Sequence, residues 1–151
     1  MPCAPRGGPG TAVRIVLDTN VVLSALLWRG TPYRFLEVAR RREGVALFTS
    51  IALLEELAEV LLRPMAAKRL AVIGGTARQV LADYVDAADL VTPLAVPSVI
   101  AADPDDDHVI AAAVAAQAAL IVSGDHHLLT LGTHRNIRIV TPAEALGVVV
   151  P

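Results

Sequence analysis

The chain has 151 residues, of which 54% are hydrophobic, and its mean hydropathy is +0.56. These values predict a folded core, most simply that of one domain, and exclude disorder for the body of the chain. The formal net charge of −2 is not the basic balance that is usual in nucleic-acid-binding domains. The longest apolar stretch, residues 109–122, is interrupted by Gln117 and is too short to cross a bilayer, so we expect no membrane partner.

The N-terminal segment differs in composition from the rest of the chain. Residues 1–12 are rich in glycine and proline and contain no apolar signal core, so we interpret them as a flexible leader. Residues 13–151 then form a single domain. Cys3 is the only cysteine, which excludes an internal disulfide and favours a cytoplasmic location.

The first half of the domain alternates short β-branched runs with helical patterns. We expect strands at residues 14–17 and 45–48, and helices at residues 21–27 and 32–42. Ser50 is placed to cap a further helix, which Arg63-Pro64 ends after Leu62.

The second half continues the alternation. The expected helices span residues 64–70, 76–88 and 105–118, and the expected strands span residues 90–92, 120–123 and 137–140. Thr141-Pro142 begins a last short helix. Strands that alternate with helices predict an α/β fold with three layers, α/β/α, around a central parallel sheet of the Rossmann-like kind.

Acidic residues stand where the predicted strands end. Asp18 follows the first strand and Asp125 follows the fourth, so both belong at the carboxyl edge of the sheet, where ligands bind. The helix that begins at Asp106 is about 18 Å long and the strand that returns beside it covers about 20 Å, which predicts that Asp106 and Asp125 are neighbours. Glu56 lies two turns into its helix, so we expect its side chain to face this edge from the helix and not to lie on the edge itself. Carboxylates that converge in this way suggest a divalent-cation site.

Each of these acids also has a simpler interpretation. Asp18 can cap the following helix, the acids from Asp103 to Asp107 can form an acidic helix start, and Asp125 can be a turn residue. One of Glu55 and Glu56 is then a solvated helix residue. The four histidines lack the spacing of a zinc site, so we interpret them as surface or structural residues: His108, His126, His127 and His134. Convergence of all four acids on one edge by accident would require four separate coincidences, so we favour the cation site.

The chain resembles the PIN-domain nucleases, in particular the VapC-like ribonucleases that are toxins of bacterial toxin–antitoxin pairs. The resemblance extends from Val13 to about Val148. It is carried by four segments in a fixed order: Val-Leu-Asp-Thr-Asn (16–20), Thr-Ser-Ile-Ala-Leu-Leu-Glu-Glu-Leu (49–57), Asp-Pro-Asp-Asp-Asp-His (103–108) and Ile-Val-Ser-Gly-Asp-His-His-Leu-Leu (121–129).

The resemblance implies which acids form the site. Its catalytic and metal-binding acids fall on four residues: Asp18, Glu56, Asp106 and Asp125. Supporting polar positions fall on Thr19, Asn20 and Ser123, with Asp103 and Asp107 beside the third acid. Asp107 remains an alternative to Asp106, because the chain has more acids here than the family pattern.

The resemblance further implies hydrolysis of RNA with Mg²⁺ or Mn²⁺, a homodimer and a cognate antitoxin. Hard oxygen ligands agree with those two cations. A catalytically silent PIN scaffold that binds RNA or protein is the alternative. A haloacid-dehalogenase-type phosphatase is less favoured, because it needs a second Asp where this chain has Asn20, and Lys68 is the only lysine.

Two apolar segments are candidates for the dimer or antitoxin surface. Residues 21–28 include the only tryptophan, and residues 53–62 offer a second apolar face. The alternative is that both faces are buried in the core of the monomer.

Overall fold

A computed structural model of the chain describes residues 12–94 and 104–150, and only the backbone of residues 104 and 105. Within these ranges the strands are β1 (Val13–Leu17), β2 (Val45–Thr49), β3 (Asp89–Leu90), β4 (Leu120–Val122), β5 (Thr133–His134) and β6 (Ile137–Val140). The helices are α1 (Thr19–Leu27), α2 (Thr31–Arg41), α3 (Ile51–Leu61), α4 (Pro64–Ile73), α5 (Ala77–Ala87), α6 (Pro104–Ala116), α7 (His126–Leu131) and α8 (Pro142–Val149). The leader predicted for residues 1–12 lies outside the described residues except for Ala12, which packs against the core.

The strands form one sheet in the order β3-β2-β1-β4-β6-β5. All pairings are parallel except that of β5 with β6, so the predicted central parallel sheet is confirmed, with one antiparallel edge. The strand β5 was not predicted from the sequence; it spans two residues and is joined to β6 through Arg135 and Asn136. These two residues have φ angles of 48° and 67°. Neither of these two turn residues is a glycine, so the usual sequence signal of a hairpin turn is absent.

Side chains alternate across β1 and divide the core into two parts. Ile15 and Leu17 pack with α1, α2 and α3, whereas Val16 packs with α6 and α7 on the opposite face. A strand that is covered on both faces needs apolar residues throughout, which explains its continuous apolar run. The predicted α/β/α layering is thereby confirmed.

Local signals set most of the helix ends. The amide of Leu53 donates to Ser50 Oγ at 3.3 Å, so Ser50 caps α3 as predicted. Thr76 and Thr141 cap α5 and α8 through reciprocal capping boxes. The short helix α7 was missed, because six residues are too few to show a helical period.

Small side chains bring α6 close to the sheet. Ala112, Ala113 and Ala116 are fully buried and pack in the same cluster as Val16 of β1. The helix ends at Gln117, whose φ of 52° turns the chain back toward β4. The first turn of α6, which carries the clustered aspartates, is therefore held over the carboxyl edge of the sheet.

The apolar faces considered as interfaces are mostly internal. Val21, Leu23 and Leu27 of α1 are buried, as are Leu53 and Leu57 of α3, so the structure supports the alternative in which these faces belong to the monomer core. None of the described helices is long and apolar enough to span a membrane.

The packing of α6 yields a stability prediction. Ala113→Leu adds three methylene-sized groups at a fully buried contact with the sheet, and overpacking of this kind costs about 1–3 kcal/mol. Urea unfolding should show this loss, whereas Ala82→Leu on the exposed side of α5 should change the free energy of unfolding by less than about 0.5 kcal/mol. Equal effects of the two variants would contradict the tight packing of α6.

Candidate active site

The carboxyl ends of β1 and β4 bring the first polar group of the site together. The amide of Asp18 donates to the carbonyl of Val122 at 2.9 Å, which continues the parallel pairing one residue past β1. Asp18 occupies the N-cap position of α1, but its side chain makes no capping hydrogen bond. The carboxylate is buried and is directed elsewhere, so capping does not account for this acid.

Ser123 connects the two strand-end aspartates. Its hydroxyl donates to Asp18 Oδ2 at 2.7 Å and accepts from the amide of Asp125 at 2.9 Å. The side chain is completely buried, so water does not compete for either bond. Ser123 therefore fixes the orientation of the Asp18 carboxylate and the path of the backbone at Asp125.

Asp125 has a structural role as well as a place in the site. Its Oδ1 accepts from the amides of His127 at 2.8 Å and Leu128 at 3.2 Å, so it caps α7. Partial burial disfavours the charged form, but these amide bonds, a side-chain hydrogen bond with Asp106 and the nearby His127 outweigh it. The pKa of Asp125 consequently lies below its usual value.

The carboxyls of Asp106 and Asp125 meet as the helix and strand lengths predicted. Asp106 is buried, and one of its oxygens, one of Asp125 and a nitrogen of His127 all lie within 4.8 Å of one another. Two carboxyls hydrogen-bond only when they share a proton, because two carboxylates at this distance repel each other. A divalent cation can take the place of that proton.

The predicted acids line one cleft of about 490 Å³. Among the described residues, those around it are Asp18, Asn20, Ala52, Glu55, Glu56, Glu59, Val60, Arg63, Asp106, His108 and Asp125. Glu56 is half-buried whereas Glu55 is exposed. All four proposed catalytic acids therefore face the same space.

The supporting residues divide into two groups. Asn20 lines the cleft and Ser123 holds Asp18, but Thr19 and Asp107 are buried outside the lining of the cleft. The Thr19 hydroxyl has no hydrogen-bond partner among the described residues. Asp103 lies outside the described residues. Of the two candidates for the third acid, the cleft lining includes Asp106 only.

The charge of the cleft is strongly negative. Six carboxylate side chains of the described residues line it, and Arg63 at the rim is already paired with Glu59 at 3.3 Å. Such a surface repels a polyanion until cations neutralise it. Carboxylate oxygens are the donors that a hard divalent cation prefers. Among the described residues, the side chains with ligand atoms within 4.8 Å of one another are Asp106, Asp125 and His127, and Asp18 lines the same cleft outside this group.

Loss of the Ser123 hydroxyl tests this arrangement. Ser123→Ala removes the donor to the buried Asp18 carboxylate and the acceptor for the Asp125 amide, which should cost about 1–3 kcal/mol in the free energy of unfolding. Ser24→Ala, at a half-buried position of α1, serves as the matched control in urea unfolding. A loss no larger than that of the control would contradict the bridging role.

Comparison with known proteins identifies the family. The model of the PIN domain matches residues 14–127, and no curated protein matches the chain. A solved structure with the same fold is a chain of "Crystal structure of VapBC2 from Rickettsia felis bound to a DNA fragment from their promoter". It matches with a TM-score of 0.58 and 13% sequence identity, over 83% of this chain and 96% of that one. The family match spans most of the chain and includes Asp18, Glu56, Asp106 and Asp125, the four acids expected from the sequence to form the site. The chain therefore belongs to the PIN domain family, whose members are generally nucleases that use divalent metals.

Proposed function

We propose that the protein is a metal-dependent endoribonuclease that hydrolyses RNA phosphodiester bonds. The observation that supports this function is the convergence of Asp18, Glu56, Asp106 and Asp125 on one cleft at the carboxyl edge of the sheet. In the proposed reaction, the oxygen of a water molecule attacks phosphorus and the bond to the 3′ oxygen breaks. The products carry a 5′-phosphate and a 3′-hydroxyl.

Each acid has a distinct part in the proposal. Asp18, Asp106 and Asp125 hold Mg²⁺ or Mn²⁺, and Glu56, on the facing helix, orients the attacking water or a cation. When bound, such a cation neutralises the phosphate, lowers the pKa of the attacking water and stabilises the leaving oxygen. Ser123 keeps the Asp18 carboxylate in place through its 2.7 Å hydrogen bond, because a ligand that can rotate binds more weakly.

Substrate recognition in this proposal depends on the rim of the cleft. Arg63 exchanges Glu59 for an RNA phosphate, because exposed ion pairs are weak and an arginine binds phosphate through two parallel hydrogen bonds. Asn20 is exposed beside Asp18 and can donate to a ribose or phosphate oxygen. The chain has only five aromatic residues (one Trp, two Tyr and two Phe), so base stacking contributes little and backbone contacts dominate.

Cleavage of single-stranded RNA by the purified protein tests the function. We expect cleavage with Mg²⁺ or Mn²⁺ and none in EDTA. Asp18→Asn or Asp106→Asn should lower the rate by orders of magnitude, because each removes a charged ligand and keeps the shape. Asp107→Asn is the matched control for Asp106→Asn, since Asp107 is equally buried but outside the lining of the cleft.

The adjacent glutamates provide a second matched pair in the same assay. Glu56→Gln should reduce cleavage far more than Glu55→Gln, because Glu56 is the half-buried member and Glu55 is exposed. If the folded parent protein binds RNA but does not cleave it with either cation, the protein is a silent scaffold and the proposal is wrong. Loss at Asp107 with an active Asp106→Asn would move the third ligand by one residue.

We further propose that this ribonuclease is a cytoplasmic toxin with a cognate antitoxin. The fold shared with a VapBC2 crystal structure supports a partner of this kind. A basic antitoxin side chain directed toward Asp18 and Asp106 would replace the charge of the cation and block the cleft.

The same proposal includes a homodimer. The α1 face is buried, but Leu62, Met65 and Val72 at α3 and α4 are between 66% and 75% exposed, which favours this surface for association. Light scattering should find a dimer at micromolar concentration, and Met65→Glu with Val72→Glu should yield a monomer. A monomeric parent protein would contradict the dimer, and a neighbouring small reading frame whose product leaves cleavage unchanged would contradict the antitoxin.

A further inference from the structure

His127 lies closer to Asp106 and Asp125 than its position in the sequence suggested. It is the second residue of α7, and its Nδ1 is 3.7 Å from Asp125 Oδ1. That distance is too long for a hydrogen bond. One of its ring nitrogens also lies within 4.8 Å of oxygens of both Asp106 and Asp125. The imidazole therefore lies near the carboxyls of Asp106 and Asp125, although His127 is not among the residues that line the acidic cleft.

We propose that His127 is a nitrogen ligand of the cation held by Asp106 and Asp125, and that it makes this site select a first-row transition-metal dication over Mg²⁺. The inference rests on the proposed function, because it uses the same cation. It adds a ligand outside the four acids and specifies which class of divalent ion the site prefers.

The distances are compatible with three ligands on one ion. Ligands at about 2.1 Å from a common octahedral ion are about 3.0 Å apart when adjacent and about 4.2 Å apart when opposite. The Nδ1 to Oδ1 separation of 3.7 Å falls between these limits. All three ligand atoms lie within 4.8 Å of one another, so small rotations of the side chains can bring them to the separations of ligands on one ion.

The backbone of α7 holds His127 where a ligand is needed. Its amide donates to Asp125 Oδ1 at 2.8 Å, so the carboxylate and the base of the imidazole side chain are fixed relative to one another. The side chain of His127 is 49% exposed, so its ring can rotate toward the ion without displacing packed neighbours. A simple role in capping α7 requires only the amide and leaves the imidazole unexplained.

A nitrogen ligand changes which cation binds best. Mg²⁺ prefers oxygen ligands and keeps several waters, whereas imidazole favours first-row transition ions increasingly from Mn²⁺ through Co²⁺ and Ni²⁺. A site with Asp106 and Asp125 alone would discriminate little between such ions. Addition of His127 lowers the Kd for Co²⁺ and, to a smaller extent, for Mn²⁺, and leaves that for Mg²⁺ nearly unchanged.

The adjacent histidine provides a matched control. His126 has the same side chain on the same helical turn, with ring centroids 5.9 Å apart, and it lines a neighbouring cleft that shares Asn20 and Asp125 with the acidic cleft. Across the described part of the chain, the potential metal-ligating group at this site includes His127 and not His126. Replacement of His126 removes a comparable exposed imidazole and should leave the cation preference unchanged.

The experiment measures the Kd values of Co²⁺ and Mg²⁺ by calorimetry at pH 7.5 for the full chain, His127→Ala and His126→Ala. We expect His127→Ala to raise the Kd for Co²⁺ at least tenfold and that for Mg²⁺ less than threefold. His126→Ala should keep both within twofold. The visible absorption bands of bound Co²⁺ should move to longer wavelength in His127→Ala only, because oxygen is a weaker-field ligand than imidazole.

Each outcome supports or overturns the inference. Equal weakening of Co²⁺ and Mg²⁺ in His127→Ala, or an unchanged Co²⁺ spectrum, means that His127 only positions Asp125, and the inference is wrong while the cation site stands. A parent protein that binds neither ion overturns the proposed cation site and this ligand together. If the selectivity changes as expected but RNA is not cleaved, the ribonuclease proposal fails and the His127 ligand is supported.

Discussion

The parallel pairing of β1 with β4 determines where the functional groups of this protein meet. Leu17 lies opposite Val122, and the amide of Asp18 extends the ladder to the Val122 carbonyl at 2.9 Å. Both strands end at the same level of the sheet. Asp18 and Ser123 therefore come within hydrogen-bonding distance, although 105 positions separate them in the sequence. A slip of one residue in this pairing would reverse the faces of the β4 side chains and separate the two groups.

Repulsion between like charges at one edge of the sheet raises the free energy of the folded state. Local interactions offset part of that cost. Ser123 donates to Asp18, and two amides of α7 donate to Asp125. These amide bonds and the side-chain hydrogen bond with Asp106 hold the pKa of Asp125 below its usual value despite partial burial. The α7 cap is worth about 0.5–2 kcal/mol, so Asp125 contributes to stability even in the absence of a cation. This double use explains why the acid stands on a helix start and not on a mobile loop.

Sequence reasoning predicted the elements that have a long period or a clear end. The strand-end positions of Asp18 and Asp125, and the matched lengths that bring Asp106 to the second of these, follow from parallel α/β geometry. The β5 strand and α7 were missed because two and six residues show no period. The sequence assigned the third acid to Asp106 with Asp107 as the alternative. Adjacent helix residues differ by about 100° in direction, and of these two the lining of the cleft includes Asp106 only.

The histidines show why a local spacing rule fails at a site built from separate elements. His127 has no ligand partner at a helical or Cys-His spacing, so the sequence indicated a surface or structural residue. Its partner acid Asp106 is 21 positions away and arrives by the return of β4 beside α6. Asp125 is only two residues away, but their proximity depends on the α7 cap, in which the His127 amide binds the same carboxylate. A hydrogen bond that begins a helix thus also fixes an imidazole next to two carboxyls, and in our proposal the preferred cation depends on that arrangement.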